Sequence, residues 1–266
     1  MIDYQHLCLK SCEIAQQAGA FIRREALGFS SNKIEVKGVH NFVSYVDKGA
    51  EKMIVEQLRL LLPEAGFITE EGTDNTRGDR FNWVIDPLDG TTNFIHGLPP
   101  YAVSIGLLDN ERLVVGVVYE VTSDECFYAW ENGGAYLNGA AIHVSDKPSV
   151  QDALIGTGFP YYNFELMRPY MDCLEYLMRN SHGVRRLGSA ATDLSYVACG
   201  RFEVFYEYNL SPWDVAGGAL ILSEAGGKIS DFSGGDNYIF GKEIVATNAN
   251  IADEFLSIIQ KWLKKK

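Results

Sequence analysis

The sequence predicts a mixed fold of two closely packed halves, an α+β half over residues 1–144 and an α/β half over residues 145–266. Turn signals recur at short intervals within residues 101–144, which is typical of antiparallel strands. After residue 145, short apolar strands alternate with helical stretches, which favours a more parallel sheet. The 266 residues are 47% hydrophobic, enough for a sizeable core, and no Pro-, Gly- or Ser-rich linker separates the halves.

In the first half, the spacing of apolar residues and the positions of proline predict where helices and strands begin and end. Helices are expected at 3–28 and at about 47–62, the second stopped by Pro63, with a mobile polar loop around residues 37–41 between them. A short strand at 66–69 ends in Glu70-Glu71. A second strand at 81–85 is expected to end at Asp86-Pro87, because proline cannot donate to a ladder.

The second half alternates short strands with amphipathic or small-residue helices. The strands are expected at 153–156, 204–205 and 244–246, and the helices at 165–179, 190–199, 214–225 and 250–264.

Charge and cysteine content exclude several classes of protein. Lys and Arg total 23 against 35 Asp and Glu, a net charge of −12, which argues against nucleic acid as a ligand. The same charge would repel a phosphorylated substrate unless cations intervene. The 5 cysteines have no C-x-x-C spacing, so neither a disulfide framework nor a zinc site is expected, and a cytoplasmic setting is favoured. No leader peptide or membrane-spanning apolar run is recognised.

The most informative segment runs from Trp83 to Phe94. Asp86 ends a buried strand, Asp89 follows three residues later, Gly90 permits a tight turn, and Thr91 or Thr92 is a good helix N-cap. Carboxylates beside free backbone N–H groups suit a hard cation together with a phosphate. The simpler alternative is a strand followed by an ordinary Asp-Gly turn.

Three other acidic positions are ambiguous when taken singly. Asp214 opens a helix rich in small residues and Asp47 begins the second helix, so each is also a plausible N-cap, while Glu70-Glu71 could be a solvated turn. The sequence therefore also allows the arrangement in which four carboxylates, those of Glu70, Asp86, Asp89 and Asp214, converge. Two carboxylates about 4 Å apart repel by about 4 kcal/mol at an effective dielectric of about 20, so such a cluster must spread apart or bind metal. All-oxygen ligands favour Mg²⁺, with Mn²⁺ as a substitute.

Several segments resemble the signature motifs of the inositol monophosphatase family. They are Glu70–Gly72, Asp86–Phe94 and Trp213–Gly218, and Lys37–Asp47 and Arg185–Leu194 resemble bacterial members. The resemblance covers essentially the whole chain in the same order. It implies a five-layer α-β-α-β-α sandwich of the inositol monophosphatase and fructose-1,6-bisphosphatase type, a homodimer, and Mg²⁺-dependent, lithium-sensitive hydrolysis of a small phosphate monoester by metal-activated water.

The resemblance also implies roles by position. Glu70, Asp86, Asp89, Asp214 and the Leu88 carbonyl would bind two or three Mg²⁺ per subunit, although Asn41 stands where many relatives have an Asp associated with the third ion. Glu70, Thr91 and Asp47 would position and deprotonate the attacking water. The positions that would contact substrate, some of them in addition to these roles, are Asp89, Gly90, Thr91, Arg185, Ala190, Glu207 and Asp214. For Arg185, a structural ion pair is an equal alternative.

The substrate predicted first is myo-inositol 1-phosphate. A 3′-phosphoadenosine (bis)phosphate, histidinol phosphate or fructose 1,6-bisphosphate would use the same chemistry. A non-catalytic interaction protein that keeps the fold is the alternative from another class. The expected partners are a small phosphorylated substrate and a second copy of the chain, with no nucleic acid as substrate and no membrane.

Overall fold

The computed structural model describes residues 2–28, 34–38, 41–161 and 163–263. The helices are α1 Tyr4–Ala26, α2 Tyr45–Leu61, α3 Thr91–Ile95, α4 Met167–Asn180, α5 Ala190–Ala198, α6 Pro212–Glu224 and α7 Ala252–Leu263. The strands are β1 Ile34–Gly38, β2 Asn41–Ser44, β3 Gly66–Thr69, β4 Phe81–Asp89, β5 Ala102–Asp109, β6 Arg112–Glu120, β7 Glu125–Trp130, β8 Ala135–Leu137, β9 Ala140–Ile142, β10 Leu154–Thr157, β11 Gly183–Arg185, β12 Val204–Tyr208, β13 Lys228–Ser230 and β14 Glu243–Thr247.

The larger sheet follows the chain, with strand order β3-β4-β5-β6-β7-β8-β9. Strands β3 and β4 are parallel, and each later neighbour is antiparallel. The turns at Asn110 and Asn138 have φ of 57° and 48°, a left-handed conformation that Asn tolerates well. The antiparallel strands predicted for residues 101–144 are therefore confirmed.

The smaller sheet has the order β11-β10-β12-β14-β13. Strand β10 is parallel to β11 and β12, whereas β14 is antiparallel to both β12 and β13. The predicted parallel character holds for only part of this sheet, because β14 returns from β13 without the crossover helix that a parallel connection needs.

Helices and sheets alternate in five layers in the part of the chain described here. Helices α1 and α2 pack on one face of the larger sheet, and α6 packs on its other face. Helix α5 lies beside α6 and also contacts β12 and β14 of the smaller sheet, while α4 and α7 pack together on that sheet's outer side. This is the α-β-α-β-α sandwich that the resemblance implied, and the domain boundary near residue 145 stays a prediction.

Glycines let α6 approach the larger sheet closely. A Cβ added to Gly116 would lie 2.4 Å from the Gly217 carbonyl oxygen, and one added to Gly106 would lie 2.9 Å from the Ala216 Cβ. Such distances leave no room for a side chain. A Cβ on Gly217 would lie 2.8 Å from Ser104 Oγ, and one on Gly218 would lie 2.6 Å from the Leu194 Cβ. This close packing brings the N-terminus of α6 toward the strand ends of the larger sheet.

Two predicted local structures are wrong. The loop expected around residues 37–41 overlaps the end of β1 and the start of β2, which pair as an antiparallel ribbon, and residues 39–40 lie outside the described part. The alternation of Ile34, Glu35, Val36 and Lys37 is a period-2 signal for a strand. The second error concerns β4, which continues through Pro87 to Asp89 instead of ending at Asp86. A register shift opposite β5 at this point accommodates the missing proline N–H.

Candidate active site

The irregular end of β4 presents two carboxylates to one cleft. Asp86 is buried, and its Oδ1 accepts a hydrogen bond from the Leu88 N–H at 2.9 Å. Gly90 then turns the chain with φ of 94° and is itself the N-cap of α3. Thr91 is the first residue of that helix, so the expected threonine cap is wrong; the left-handed conformation required there suits glycine, not a β-branched residue.

Carboxylates from separate segments meet at this point. One oxygen each from Asp86, Asp89 and Asp214 lies within 4.8 Å of the others. Glu70, directly after β3, lines the same cleft of about 290 Å³, and its charge contributes to the raised pKa of Asp86. The structure therefore brings together the four acidic residues that the sequence analysis grouped.

Asp214 reaches this cluster from the first turn of α6. Ser211 is the N-cap, and its N–H donates to Asp214 Oδ2 at 2.7 Å. Asp214 is therefore the third residue of the helix, and its side chain accepts a hydrogen bond from the N-cap backbone. It is not the N-cap itself, because the helix already begins at Pro212, whose fixed φ suits the first helical position. The bond holds one carboxylate oxygen at the helix start, and the residue faces the cleft.

Burial and mutual repulsion make ionisation of this cluster costly. Burial raises the pKa of Asp89 to about 6. Burial, followed by the charge of Asp89, raises the pKa of Asp214 to about 7. The pKa values of Glu70 and Asp86 are held well above their usual range, again by burial first and then by neighbouring carboxylates. A divalent cation would relieve this repulsion, and the all-oxygen donor set fits Mg²⁺ or Mn²⁺.

Hydrogen bonds from outside the cluster fix the orientation of these acids. Asp89 Oδ2 accepts from Ser189 Oγ at 2.6 Å and from the Ala191 N–H at 2.8 Å. The loop that follows Glu70 is held by Glu51, a buried residue of α2 whose carboxylate accepts from the N–H groups of Glu71 and Thr73, both at 2.7 Å. Sequence analysis missed both supports. Ser189 carries an N-cap signal, whereas Glu51 in mid-helix carries none.

Thr91 links the cluster to α2. Its Oγ1 lies 3.0 Å from Asp47 Oδ1 and 3.0 Å from the Leu88 carbonyl oxygen. Asp47 is 1% exposed and lies in the first turn of α2, not at the N-cap, because the helix already begins at Tyr45. Its carboxylate is therefore available to the Thr91 hydroxyl, as the resemblance implied.

The cleft continues onto the second half of the chain. Ala190 and Glu207 line it as expected, but Arg186 lines it in place of Arg185. Arg185 is exposed, and its guanidinium donates to the Val184 carbonyl oxygen at 3.0 Å. Successive side chains of an extended segment point to opposite sides, so only one of the pair can face the cleft.

Tyr161 and Asp193 are among the cleft residues that the sequence analysis missed. The Arg186 guanidinium donates to the Tyr161 hydroxyl at 2.5 Å. No motif marks Tyr161, while Asp193 lies inside the stretch already recognised as similar to bacterial members. Asn41 is in β2, and its side chain lies outside the described part.

No helix in the described ranges is both long and apolar enough to cross a membrane.

Comparisons with known proteins identify the family. The family model described as the inositol monophosphatase family matches residues 3–263. The putative Nus factor SuhB of Neisseria meningitidis is 40% identical over 246 residues, which cover 92% of this chain and 94% of that protein. The inositol-1-monophosphatase of Rhizobium meliloti is 38% identical over 251 residues, covering 94% of each chain.

Solved structures agree with these relatives. The extragenic suppressor protein SuhB from Bartonella henselae has a TM-score of 0.89 at 38% identity, covering 94% of this chain and 96% of that one. An IMPase from Thermotoga maritima has a TM-score of 0.86 at 33% identity, covering 96% of each chain. With the carboxylate cleft and the sandwich fold, these matches lead to one conclusion: the chain belongs to the inositol monophosphatase family.

Proposed function

We propose that this protein is a Mg²⁺-dependent hydrolase that converts myo-inositol 1-phosphate to myo-inositol and phosphate. Family membership supports a phosphatase that acts on small phosphorylated substrates. The observation that carries the proposal is the convergence of Asp86, Asp89 and Asp214 within 4.8 Å beside Glu70 and the Thr91–Asp47 pair. A cluster so costly to ionise is suited to holding divalent cations.

The proposed ligands are the carboxylates of Glu70, Asp86, Asp89 and Asp214 and the carbonyl oxygen of Leu88. They would hold two or three Mg²⁺, with Mn²⁺ as a substitute. When bound, the cations supply the positive charge that draws a phosphate monoester into an acidic cleft and stabilises the charge of the phosphoryl group.

The chain's own groups would perform the remaining steps. The N–H groups of Gly90 and Thr91 bind the phosphate oxygens. Thr91 Oγ1, which contacts Asp47 Oδ1 at 3.0 Å, orients the attacking water and passes its proton toward Asp47, with Glu70 on the other side of the water. Attack is direct and in line, without a phosphoenzyme, because Asp86 and Asp89 are committed as ligands and are not free nucleophiles.

The leaving alcohol would lie toward α5 and β12. Ala190 and Glu207 line this part of the cleft, and Asp89 and Asp214 border it. Arg186 takes the role that the resemblance suggested for Arg185, since it faces the cleft and Arg185 does not. The other family substrates, a 3′-phosphoadenosine (bis)phosphate, histidinol phosphate and fructose 1,6-bisphosphate, remain the alternatives within the same chemistry.

The test is phosphate release from a panel of these esters, with and without Mg²⁺ and Li⁺. The proposal expects the highest kcat/KM for myo-inositol 1-phosphate, dependence on Mg²⁺ and inhibition by Li⁺. A higher kcat/KM for any other ester would overturn the assignment of myo-inositol 1-phosphate as the substrate. We further propose that the protein is a homodimer and is located in the cytoplasm. Size-exclusion chromatography with light scattering measures the molar mass and so tests the dimer.

A second candidate is an interaction protein that keeps the fold without catalysis. It is favoured by the relatives named Nus factor SuhB, one of which, from Escherichia coli, is 40% identical over 244 residues. Thermal unfolding that does not respond to Mg²⁺, together with no phosphate release from any ester, would support this candidate over the phosphatase.

A further inference from the structure

Helix α2 contacts two separate parts of the active site through neighbouring carboxylates. Asp47 and Glu51 are four residues apart, so their side chains lie on the same side of the helix. The Asp47 carboxylate lies 3.0 Å from the Thr91 hydroxyl. The Glu51 carboxylate contacts the loop that directly follows Glu70. One side of α2 therefore reaches both segments whose residues border the attacking water in the function proposed above.

Glu51 uses both of its carboxylate oxygens on this loop. Its Oε2 accepts a hydrogen bond from the Glu71 N–H and its Oε1 accepts one from the Thr73 N–H, each at 2.7 Å. Glu51 is 0% exposed, so both bonds are shielded from competing water. A carboxylate is the side chain in which both oxygens accept, and N–H bonds to an ionised carboxylate are among the stronger ones in proteins. The loop is therefore firmly attached to α2.

Hydrogen bonds to the end of β3 hold the rest of the loop. The Thr69 N–H donates to Asn75 Oδ1 at 3.0 Å, and the Thr69 hydroxyl donates to the Asp74 carbonyl oxygen at 3.1 Å. Glu70 lies between Thr69 and Glu71, whose N–H is bound by the carboxylate from α2. The backbone of Glu70 is therefore held on one side by the sheet and on the other side by the helix.

We propose that Glu51 is a positioning residue. By holding the loop after Glu70 from the helix that also contacts Thr91 through Asp47, it fixes the place of the Glu70 carboxylate relative to the Thr91 hydroxyl. The inference rests on the proposed function, in which Glu70 is a metal ligand and borders the attacking water. Glu51 is buried and is not among the described residues that line the cleft, so it acts through Glu70 and not on the ester.

The first variant is Glu51→Gln, which keeps the size of the side chain but replaces one accepting oxygen with an NH₂ group that donates. Calorimetric titration should show the Mg²⁺ dissociation constant rising at least about tenfold. In saturating Mg²⁺, kcat for myo-inositol 1-phosphate should fall at least about tenfold while KM changes less than about threefold. KM should be spared because the proposed phosphate contacts, the N–H groups of Gly90 and Thr91, belong to another segment.

A second variant disturbs the loop and leaves the charge of Glu51 in place. Gly72 lies between the two N–H groups that Glu51 binds, is exposed and has φ of 76°, where an alanine is strained. The nearest atom that a Cβ there would meet is Asn75 Nδ2 at 3.6 Å, an ordinary contact. Gly72→Ala should therefore fold, and it should weaken Mg²⁺ binding and lower kcat as Glu51→Gln does. The same result in both variants excludes loss of charge as the cause.

Two variants of the same helix are the matched controls. Glu56→Gln makes the same chemical change at an exposed position and should alter neither Mg²⁺ affinity nor kcat. Val55→Ala removes buried apolar atoms, so it should lower the unfolding temperature while Mg²⁺ affinity and kcat stay within about threefold of wild type. If the role of Glu51 were only to stabilise the fold, Glu51→Gln would behave like Val55→Ala.

Mg²⁺ affinity and kcat within about threefold of wild type in folded Glu51→Gln would overturn the inference. Where that variant does not fold, the same result in Gly72→Ala would overturn it. An equal loss of Mg²⁺ affinity in Val55→Ala would also overturn it, because destabilisation would then explain the effect. Failure of the proposed function looks different, since the wild type would then bind no Mg²⁺ and hydrolyse no ester.

Discussion

Ser189 donates its hydroxyl hydrogen to Asp89 Oδ2 at 2.6 Å. Asp89 ends β4 of the larger sheet, whereas Ser189 is the N-cap of α5 in the second half of the chain. The bond therefore joins two segments a hundred residues apart at a proposed metal ligand. Removing a partner that orients a ligand in this way typically lowers metal affinity by about 10- to 100-fold.

Ser189→Ala should weaken Mg²⁺ binding while leaving the fold intact. The Ala191 N–H still donates to Asp89, so we expect the half-saturating Mg²⁺ concentration to rise about tenfold and not to become unmeasurable. Calorimetric titration with Mg²⁺ measures this directly. Ser195→Ala is the matched control, because Ser195 lies in the same helix and its Oγ donates to the Ala191 carbonyl oxygen. Equal Mg²⁺ affinity in the two variants would contradict the role of Ser189.

Asp86→Asn should reduce phosphate release by about a hundredfold or more, since loss of a ligand exceeds the usual cost of losing an outer partner. The same change removes one repelling charge from the cluster. We therefore expect the variant in EDTA to unfold at a higher temperature than the wild type in EDTA, and its unfolding temperature to respond little to Mg²⁺. Activity within a few-fold of wild type would disprove the assignment of Asp86.

Thr91→Ala should lower kcat by about a hundredfold and raise KM far less, because the hydroxyl orients water and transfers its proton rather than holding the ester. Thr91→Ser keeps the hydroxyl that contacts Asp47 and should recover most of the rate. Steady-state kinetics on both variants separate the two parameters. An unchanged kcat in Thr91→Ala would contradict the proposed role of the Thr91 hydroxyl.

The pH dependence of stability follows from the raised pKa values. In the folded protein the pKa of Asp89 is about 6 and that of Asp214 about 7, both above the value of about 3.9 in an unfolded chain. A raised pKa favours the folded state below the unfolded value, and this contribution is lost as the pH rises through the folded values. The metal-free protein should therefore unfold at a lower temperature near pH 8 than near pH 5.

Mg²⁺ should abolish most of this loss, since bound ligands are deprotonated and paired with positive charge. Thermal unfolding at both pH values, with EDTA and with Mg²⁺, provides the comparison. Asp214→Asn, which cannot titrate at that position, should show a smaller loss in EDTA. Metal-free stability that increases between the two pH values would contradict the pKa directions.

Periodicity and motif spacing predicted the helices, the antiparallel strands and the acidic cluster, because those features depend on residues close together in the chain. The continuation of β4 through Pro87 was not predictable in the same way. A proline usually ends a ladder, and the bulge that accommodates it depends on β5, the partner strand. The N-cap at Gly90 also depends on distant segments, since a Cβ at this left-handed position would lie 3.0 Å from the Pro100 carbonyl oxygen and 3.2 Å from that of Gly188.

The supports of the site were the least predictable part. Glu51 looks like an ordinary surface acid of an amphipathic helix, yet it is fully buried and holds two N–H groups of the loop after β3. Arg185 and Arg186 are chemically identical in sequence, and only the direction of the chain after β11 decides which faces the cleft. Long-range contacts of this kind leave no local pattern.

The rate of phosphate release from myo-inositol 1-phosphate as a function of free Mg²⁺, with protein first stripped by EDTA, tests the central claim most directly. The account predicts no release above background without Mg²⁺, saturable recovery as Mg²⁺ is added, and no recovery in Asp86→Asn over the same range. Release that is equally fast in EDTA and in Mg²⁺ would contradict it.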